Sequence, residues 1–226
     1  MPSRVLVFDV NETLLDLGAL DPIFTRVFGD AAVRHQWFQQ VVQSFLVTIA
    51  VGRYVDFGAI ARAALEMVAA RLERPLTEDD RRQILSAIRE LPPHPEVRRS
   101  LERLRRAGLR LGTLTNSTKA TAEAQLRNSG LGDLFELTLS ADEVGRLKPA
   151  PEPYRFAAER FGVPAGQVRL IAAHAWDVAG ALRAGCRAAF VARPGMVLDP
   201  IHEVPDVVGR DLAEVADGII AADAGA

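Results

Sequence analysis

From residue 97 onward the sequence alternates between short apolar runs and amphipathic segments, and this constrains the fold more than any other feature. Val97 to Ala107 has helical spacing and stops at Gly108, and Leu109 to Leu114 then forms a run of strand length. A helix over Thr118 to Ser129 ends at Gly130 and precedes a short strand over Phe135 to Leu139. Helix Pro151 to Phe161, strand Val168 to Ala173, helix Asp177 to Ala184 and strand Ala188 to Val191 follow. Asp206 to Val208 reads as an edge strand and Leu212 to Ala221 as a last helix. Strands alternating with helices are βαβ units with right-handed crossovers, and they build a parallel sheet. One more strand, Arg4 to Phe8, stands far upstream. Its run Val5-Leu6-Val7-Phe8 suits a strand buried on both faces. The expected fold is α/β, a doubly wound parallel sheet with a long insert after its first strand.

The insert reads as helical throughout. Residues 16–92 contain no convincing strand. Ile23-Phe24-Val27-Phe28, the Trp37 to Ile49 stretch and the Phe57 to Leu72 stretch repeat at i, i+3 and i+4. Thr77 starts a further helix as N-cap, with Asp80 near the capping-box position. Pro92-Pro93-His94-Pro95 closes the insert as a stiff linker. The expected division is a core of residues 1–14 and 96–226 and a helical cap of residues 15–95. A chain of 226 residues is long enough for both.

Composition narrows the partners. A net charge of −2 gives no general pull on nucleic acid or anionic membranes. The basic segment Arg98 to Arg106 reads as a solvated helix face, because Leu101 and Leu104 form a core stripe and no aromatics interleave. No apolar run approaches the ~18 residues of a membrane span. The first residues lack the pattern of a signal peptide. The lone Cys186 reads as a buried apolar residue, so the expected location is the cytoplasm.

Polar residues gather where the predicted strands end, which in an open α/β sheet is the ligand crevice. The first strand ends in Asp9, followed by Asn11, Glu12 and Thr13. The second opens onto Thr115, Asn116 and Ser117 at a helix N-terminus, where free N–H groups suit an anion. Lys148 precedes a helix entry stiffened by Pro149, Pro151 and Pro153. The fourth strand ends in His174, Trp176 and Asp177. Helix capping by Asp9, Asn11 or Asn116, and plain packing by Tyr154, are the competing roles.

These four sets, in this order and over nearly the whole chain, resemble the haloacid dehalogenase superfamily. The resemblance implies a Rossmann-like core with an inserted cap, Asp9 as nucleophile, Lys148 steadying Asp9, and Asp177 holding Lys148. Phosphatases of that superfamily carry a second Asp two residues after the nucleophile and a further acid before Asp177. Here those positions are Asn11 and Ala173, so the expected chemistry has no metal and no cofactor. The L-2-haloacid dehalogenase branch fits better. It implies hydrolysis of short 2-haloacids by water through an ester on Asp9. Thr13 falls among its catalytic positions, and Asn11, Thr115, Asn116, Tyr154 and Trp176 among those that meet substrate. The branch's halide-binding arginine aligns with Phe38, and Arg34, one turn earlier on the same face, is the expected substitute. Glu12 and His174 resemble a dyad that activates the hydrolytic water in one subgroup. Relatives are often dimers, which implies a possible homodimer. A Mg²⁺-dependent phosphatase of a small metabolite and a non-catalytic member of the superfamily are the alternatives.

Overall fold

The computed structural model describes residues 5–224. Arg4, expected to open the first strand, lies outside the described residues. In chain order, β1 (Val5–Phe8) leads into the cap helices α1 (Asp21–Phe28), α2 (Val33–Ala50), α3 (Phe57–Arg71) and α4 (Glu78–Ala87). The chain then returns through α5 (Val97–Arg106), β2 (Arg110–Thr115), α6 (Lys119–Asn128), β3 (Leu137–Ser140) and α7 (Pro151–Phe161). It ends with β4 (Val168–Ala172), α8 (Ala175–Arg183), β5 (Arg187–Val191), β6 (Val207–Gly209) and α9 (Leu212–Ala224).

The six strands lie in the order β3-β2-β1-β4-β5-β6, and every pairing is parallel. The order turns back at β1, so the crevice opens where β1 meets β4. Every residue of β1 is buried, as its unbroken apolar run requires. Alternate side chains of β1 enter opposite layers. Val5 and Val7 join Leu114, Phe161, Leu170 and Phe190 in one apolar cluster. Leu6 and Phe8 join Leu101, Leu126, Ile171 and Val215 in the other, which continues into the cap.

Within the cap, α2 and α3 bury Trp37, Val41 and Phe45 against Ile60, Ala64, Leu65 and Val68. Thr77 and Asp80 form the expected capping box at α4. Entry and exit run side by side: Leu15 pairs with Pro93, and the Asp16 N–H reaches the Pro92 carbonyl at 2.9 Å. Among the described residues no cap strand joins the sheet.

Two of the boundaries that differ from expectation have clear local reasons. β3 starts at Leu137 rather than Phe135, because Phe135 closes a 3-10 turn over Gly132–Leu134 and sets its ring edge-on to Phe8. α8 starts at Ala175 rather than Asp177, because the His174 carbonyl already accepts from the Asp177 and Val178 N–H groups. The basic segment on α5 is a solvated face: Leu101 and Leu104 are buried, while Arg98 pairs with Glu102 and Asp133. Cys186 is buried, which pushes its thiol up to about 11. No described helix is long and apolar enough to cross a membrane.

Candidate active site

Asp9 extends β1 by one residue, its N–H bonded to the Ile171 carbonyl of β4 at 3.0 Å. Helix capping is not its role; Asp16 caps the 3-10 turn that follows the loop. Two groups hold the Asp9 carboxylate. Lys148 Nζ lies 2.9 Å from Oδ1, and the Thr13 hydroxyl donates to Oδ2 at 2.8 Å. Thr13 is itself oriented by the Ala173 N–H, which donates to its Oγ1 at 3.0 Å.

Lys148 is fully buried, and a lone buried ammonium is costly unless its protons are bonded. Its Nζ reaches Asp9, Asp177 Oδ2 at 2.5 Å and the Leu114 carbonyl at 2.8 Å. Asn116 fixes the Lys148 backbone from both sides, accepting its N–H at 2.7 Å and donating to its carbonyl at 3.0 Å. Asn116, expected to bind substrate, thus has its side chain engaged as a clamp. Tyr154 also departs from expectation. It is buried and donates to Asp177 Oδ1 at 2.6 Å, so it orients the acid that holds Lys148. A Cβ on Gly180 would stand 2.6 Å from both the Tyr154 hydroxyl and Pro149 Cβ. Glycine there lets α8 approach close enough to deliver Asp177.

Charge follows this geometry. Burial alone would raise Asp9, but Lys148 and His174 overcome it and hold Asp9 well below the usual carboxylate range. Burial alone would lower Lys148, but Asp177 and Asp9 keep it cationic. Burial raises Asp177, and Lys148 offsets part of that rise. The site therefore presents an ionised carboxylate in a nearly dry setting.

Glu12 and His174 meet beside that carboxylate. Glu12 takes a left-handed backbone, φ +61°, a conformation rare for residues other than glycine and common at functional sites. This turns its carboxylate to His174 Nε2 at 2.8 Å. The other ring nitrogen, Nδ1, lies 3.4 Å from Asp9 Oδ2 and makes no hydrogen bond among the described residues. Phe38 and Trp176 stack on the imidazole, with centroids at 5.5 and 5.1 Å. Burial opposes protonation, but Asp9 and Glu12 raise His174 to about 9. The sign of the linkage is set by that rise: His174 stabilises the fold fully below about pH 6.5, and loses this as pH climbs through the folded value. Thermal denaturation of the unchanged chain and of His174→Gln is expected to differ by up to about 3 kcal/mol at low pH, and by less as the pH passes 9.

The remaining expected site residues fall around this centre. Asn11 is buried, accepts from Gln125 at 2.8 Å and donates to Ser117 at 3.3 Å, tying the loop after β1 to α6 and the residues before it. Thr115 Oγ1 accepts the Ser117 N–H at 3.2 Å, which leaves its own proton to give. Arg34, expected to receive halide, has its Nε on Asp21 at 2.5 Å and its guanidinium 3.8 Å from Glu12. Its charge therefore reaches the site from the cap through Glu12.

The model of the haloacid dehalogenase-like hydrolase family matches residues 4–185. The chain belongs to that family. Among haloacid dehalogenase-like relatives, (S)-2-haloacid dehalogenase 2 of Pseudomonas sp. (strain CBS-3) is 29% identical over 94% of this chain and 93% of its own length. The structure of L-2-haloacid dehalogenase from Xanthobacter autotrophicus superposes with a TM-score of 0.89 at 26% identity, covering 96% of this chain and 98% of that one. A second structure of that enzyme, with chloropropionic acid covalently bound, matches at the same TM-score of 0.89 and 25% identity.

Three supports of this haloacid dehalogenase-like site escape sequence reasoning. Gln125 holds Asn11 from α6, and Gly180 permits the approach of α8. Arg193 donates to the Thr13 carbonyl at 2.8 Å and pairs with Glu96 at 2.6 Å. Gln125 and Gly180 lie inside helices, where the strand-end pattern gives no signal, whereas Arg193 follows the end of β5 by two residues and could have been found by it.

Proposed function

We propose that this hydrolase removes halide from short 2-haloacids, with Asp9 as nucleophile and water as the second substrate. The observation that carries this reading is the Asp9 carboxylate, ionised, buried and held at both oxygens by Lys148 and Thr13. Asp9 attacks the carbon that bears the halogen; the carbon–halogen bond breaks and an aspartyl ester forms. Lys148 and His174 keep Asp9 anionic, and Asp177, oriented by Tyr154, holds Lys148 in place. Thr115 and the N–H groups opening α6 receive the substrate carboxylate. Halide leaves toward the aromatic wall of Phe38 and Trp176, where the branch arginine is replaced and His174 supplies positive charge. Water then attacks the ester, with the Glu12–His174 dyad accepting its proton.

The reaction proceeds without a metal. Lys148 Nζ stands between the two carboxylates, 2.9 Å from Asp9 and 2.5 Å from Asp177, and neutralises part of their charge. Ala173 and Asn11 replace the acids expected of a Mg²⁺ phosphatase. Residues 15–95 act as the cap, with the paired Leu15 and Pro93 as the division from the core. The enzyme works in the cytoplasm as a homodimer. Exposed Leu46 and Val47 on α2 with Val51 just past its end, and Met67 on α3 with Leu72 just past its end, support that assembly, and sedimentation is expected to give twice the chain mass.

The deciving test is halide release from chloro-, bromo- and fluoroacetate and both 2-chloropropionate enantiomers, with and without EDTA. Release that EDTA leaves unchanged, with the (S) enantiomer preferred, is the expected result. Mg²⁺-dependent phosphate release from an aryl phosphate, with no halide from any acid, would replace this reading.

A further inference from the structure

We propose that alkylation of Asp9 itself converts His174 from the cation that steadies the resting nucleophile into the base of the hydrolytic step. Water is then activated only when there is an ester to hydrolyse. This inference rests on the roles given above to Asp9 and His174.

The geometry couples the two residues directly. His174 bridges the carboxylates, with Nε2 on Glu12 at 2.8 Å and Nδ1 3.4 Å from Asp9 Oδ2. Nδ1 is buried and has no hydrogen-bond partner among the described residues, so Asp9 is what it faces. Phe38 from α2 and Trp176 from α8 stack on the ring, so its nitrogens lie at the edge that meets the two carboxylates. The other charges near the ring are already engaged. Lys148 is bonded to Asp177 as well as to Asp9, and Arg34 to Asp21 and Glu12.

With Asp177 ionised in its pair with Lys148, and Arg34 held by Asp21 and Glu12, the imidazolium is the cation lying between Asp9 and Glu12. Esterification removes the Asp9 charge and with it one of the two anions that hold the imidazolium. Lysine and arginine hold their protons far more tightly than histidine. Lys148 also keeps Asp177, whereas the Asp9 side of His174 loses its anion. The imidazolium is therefore the group that gives up a proton.

The steps balance. The Asp9 carboxylate displaces halide, and the Nδ1 proton passes to solvent as the one acid equivalent of the net reaction. Neutral Nδ1 then takes a proton from water as the water oxygen bonds to the Asp9 carbonyl carbon. The tetrahedral intermediate collapses, the bond from that carbon to the ester oxygen breaks, and His174 protonates the departing 2-hydroxy acid. The new Asp9 carboxylic acid transfers its proton to Nδ1. This restores the carboxylate and imidazolium of the resting state. Nε2 keeps its proton throughout and donates a hydrogen bond through it to Glu12.

The test is titration of the His174 imidazole by nitrogen-resolved NMR, with the signal assigned by its loss in His174→Gln. Asp9→Asn supplies the uncharged nucleophile position, and Asp9→Ser provides a second neutral variant should the first fail to fold. Proton binding by His174 is expected to weaken tenfold or more in either variant. Unchanged binding in a folded variant would overturn the inference, even with halide release by the unchanged chain intact. Loss of the dehalogenase reading would instead show as no halide from any acid in the panel. The titration uses no substrate, so the two failures are distinguishable.

Discussion

Asp9→Asn is expected to release halide about 10⁴-fold or more slowly than the unchanged chain, while keeping its fold. The amide has nearly the shape of the carboxylate but cannot attack carbon. The loss belongs in kcat, because Thr115 and the opening of α6 are untouched and substrate binding persists. Circular dichroism checks the fold, and halide release measures the loss. Lys148 remains paired with Asp177 at 2.5 Å in such a variant, so the buried ammonium is not left alone. Turnover near that of the unchanged chain would assign the nucleophile elsewhere.

His174→Ala is expected to separate the half-reactions. The Asp9 carboxylate is still held by Lys148 and Thr13, so the ester forms. The water attacking it lacks a base, a loss of about 10²–10⁴-fold in the second step. Halide should appear once per active site and then stall, and intact-protein mass spectrometry should find the acyl group retained on Asp9. Glu12 is separated from Asp9 by the imidazole, its carboxylate on Nε2 while Nδ1 faces Asp9, so it does not take over as base from its position. Steady turnover with no trapped ester would give the dyad another function.

The core of this site was legible because the strand ends announce it. An apolar run that stops at Asp9, and another that stops just before His174, put both residues at the crevice, and adjacency of β1 and β4 brings Glu12 to His174. Composition and spacing carried the alternating helices and strands for the same reason: each buries one patterned face. What stayed hidden depends on tertiary reach. Arg34 has the helical spacing of a halide ligand, but Asp21 and Glu12 lie closer and claim its guanidinium. Tyr154 sits one turn into α7, where sequence cannot distinguish a substrate contact from a bond to Asp177. The left-handed backbone of Glu12 has no sequence mark either. It follows from closing the loop between Asp9 and Leu15, where the Glu12 N–H meets the Leu15 carbonyl at 2.8 Å.

The central claim, that Asp9 is esterified and released by attack at its own carbonyl carbon, is tested most directly by turnover of a 2-haloacid in heavy-oxygen water. After several turnovers the peptide carrying Asp9 should contain the label, and the 2-hydroxy acid from a first single turnover should contain none. Label in the product of that first turnover, with Asp9 unlabelled, would mean that water attacks the substrate carbon directly and would contradict the account.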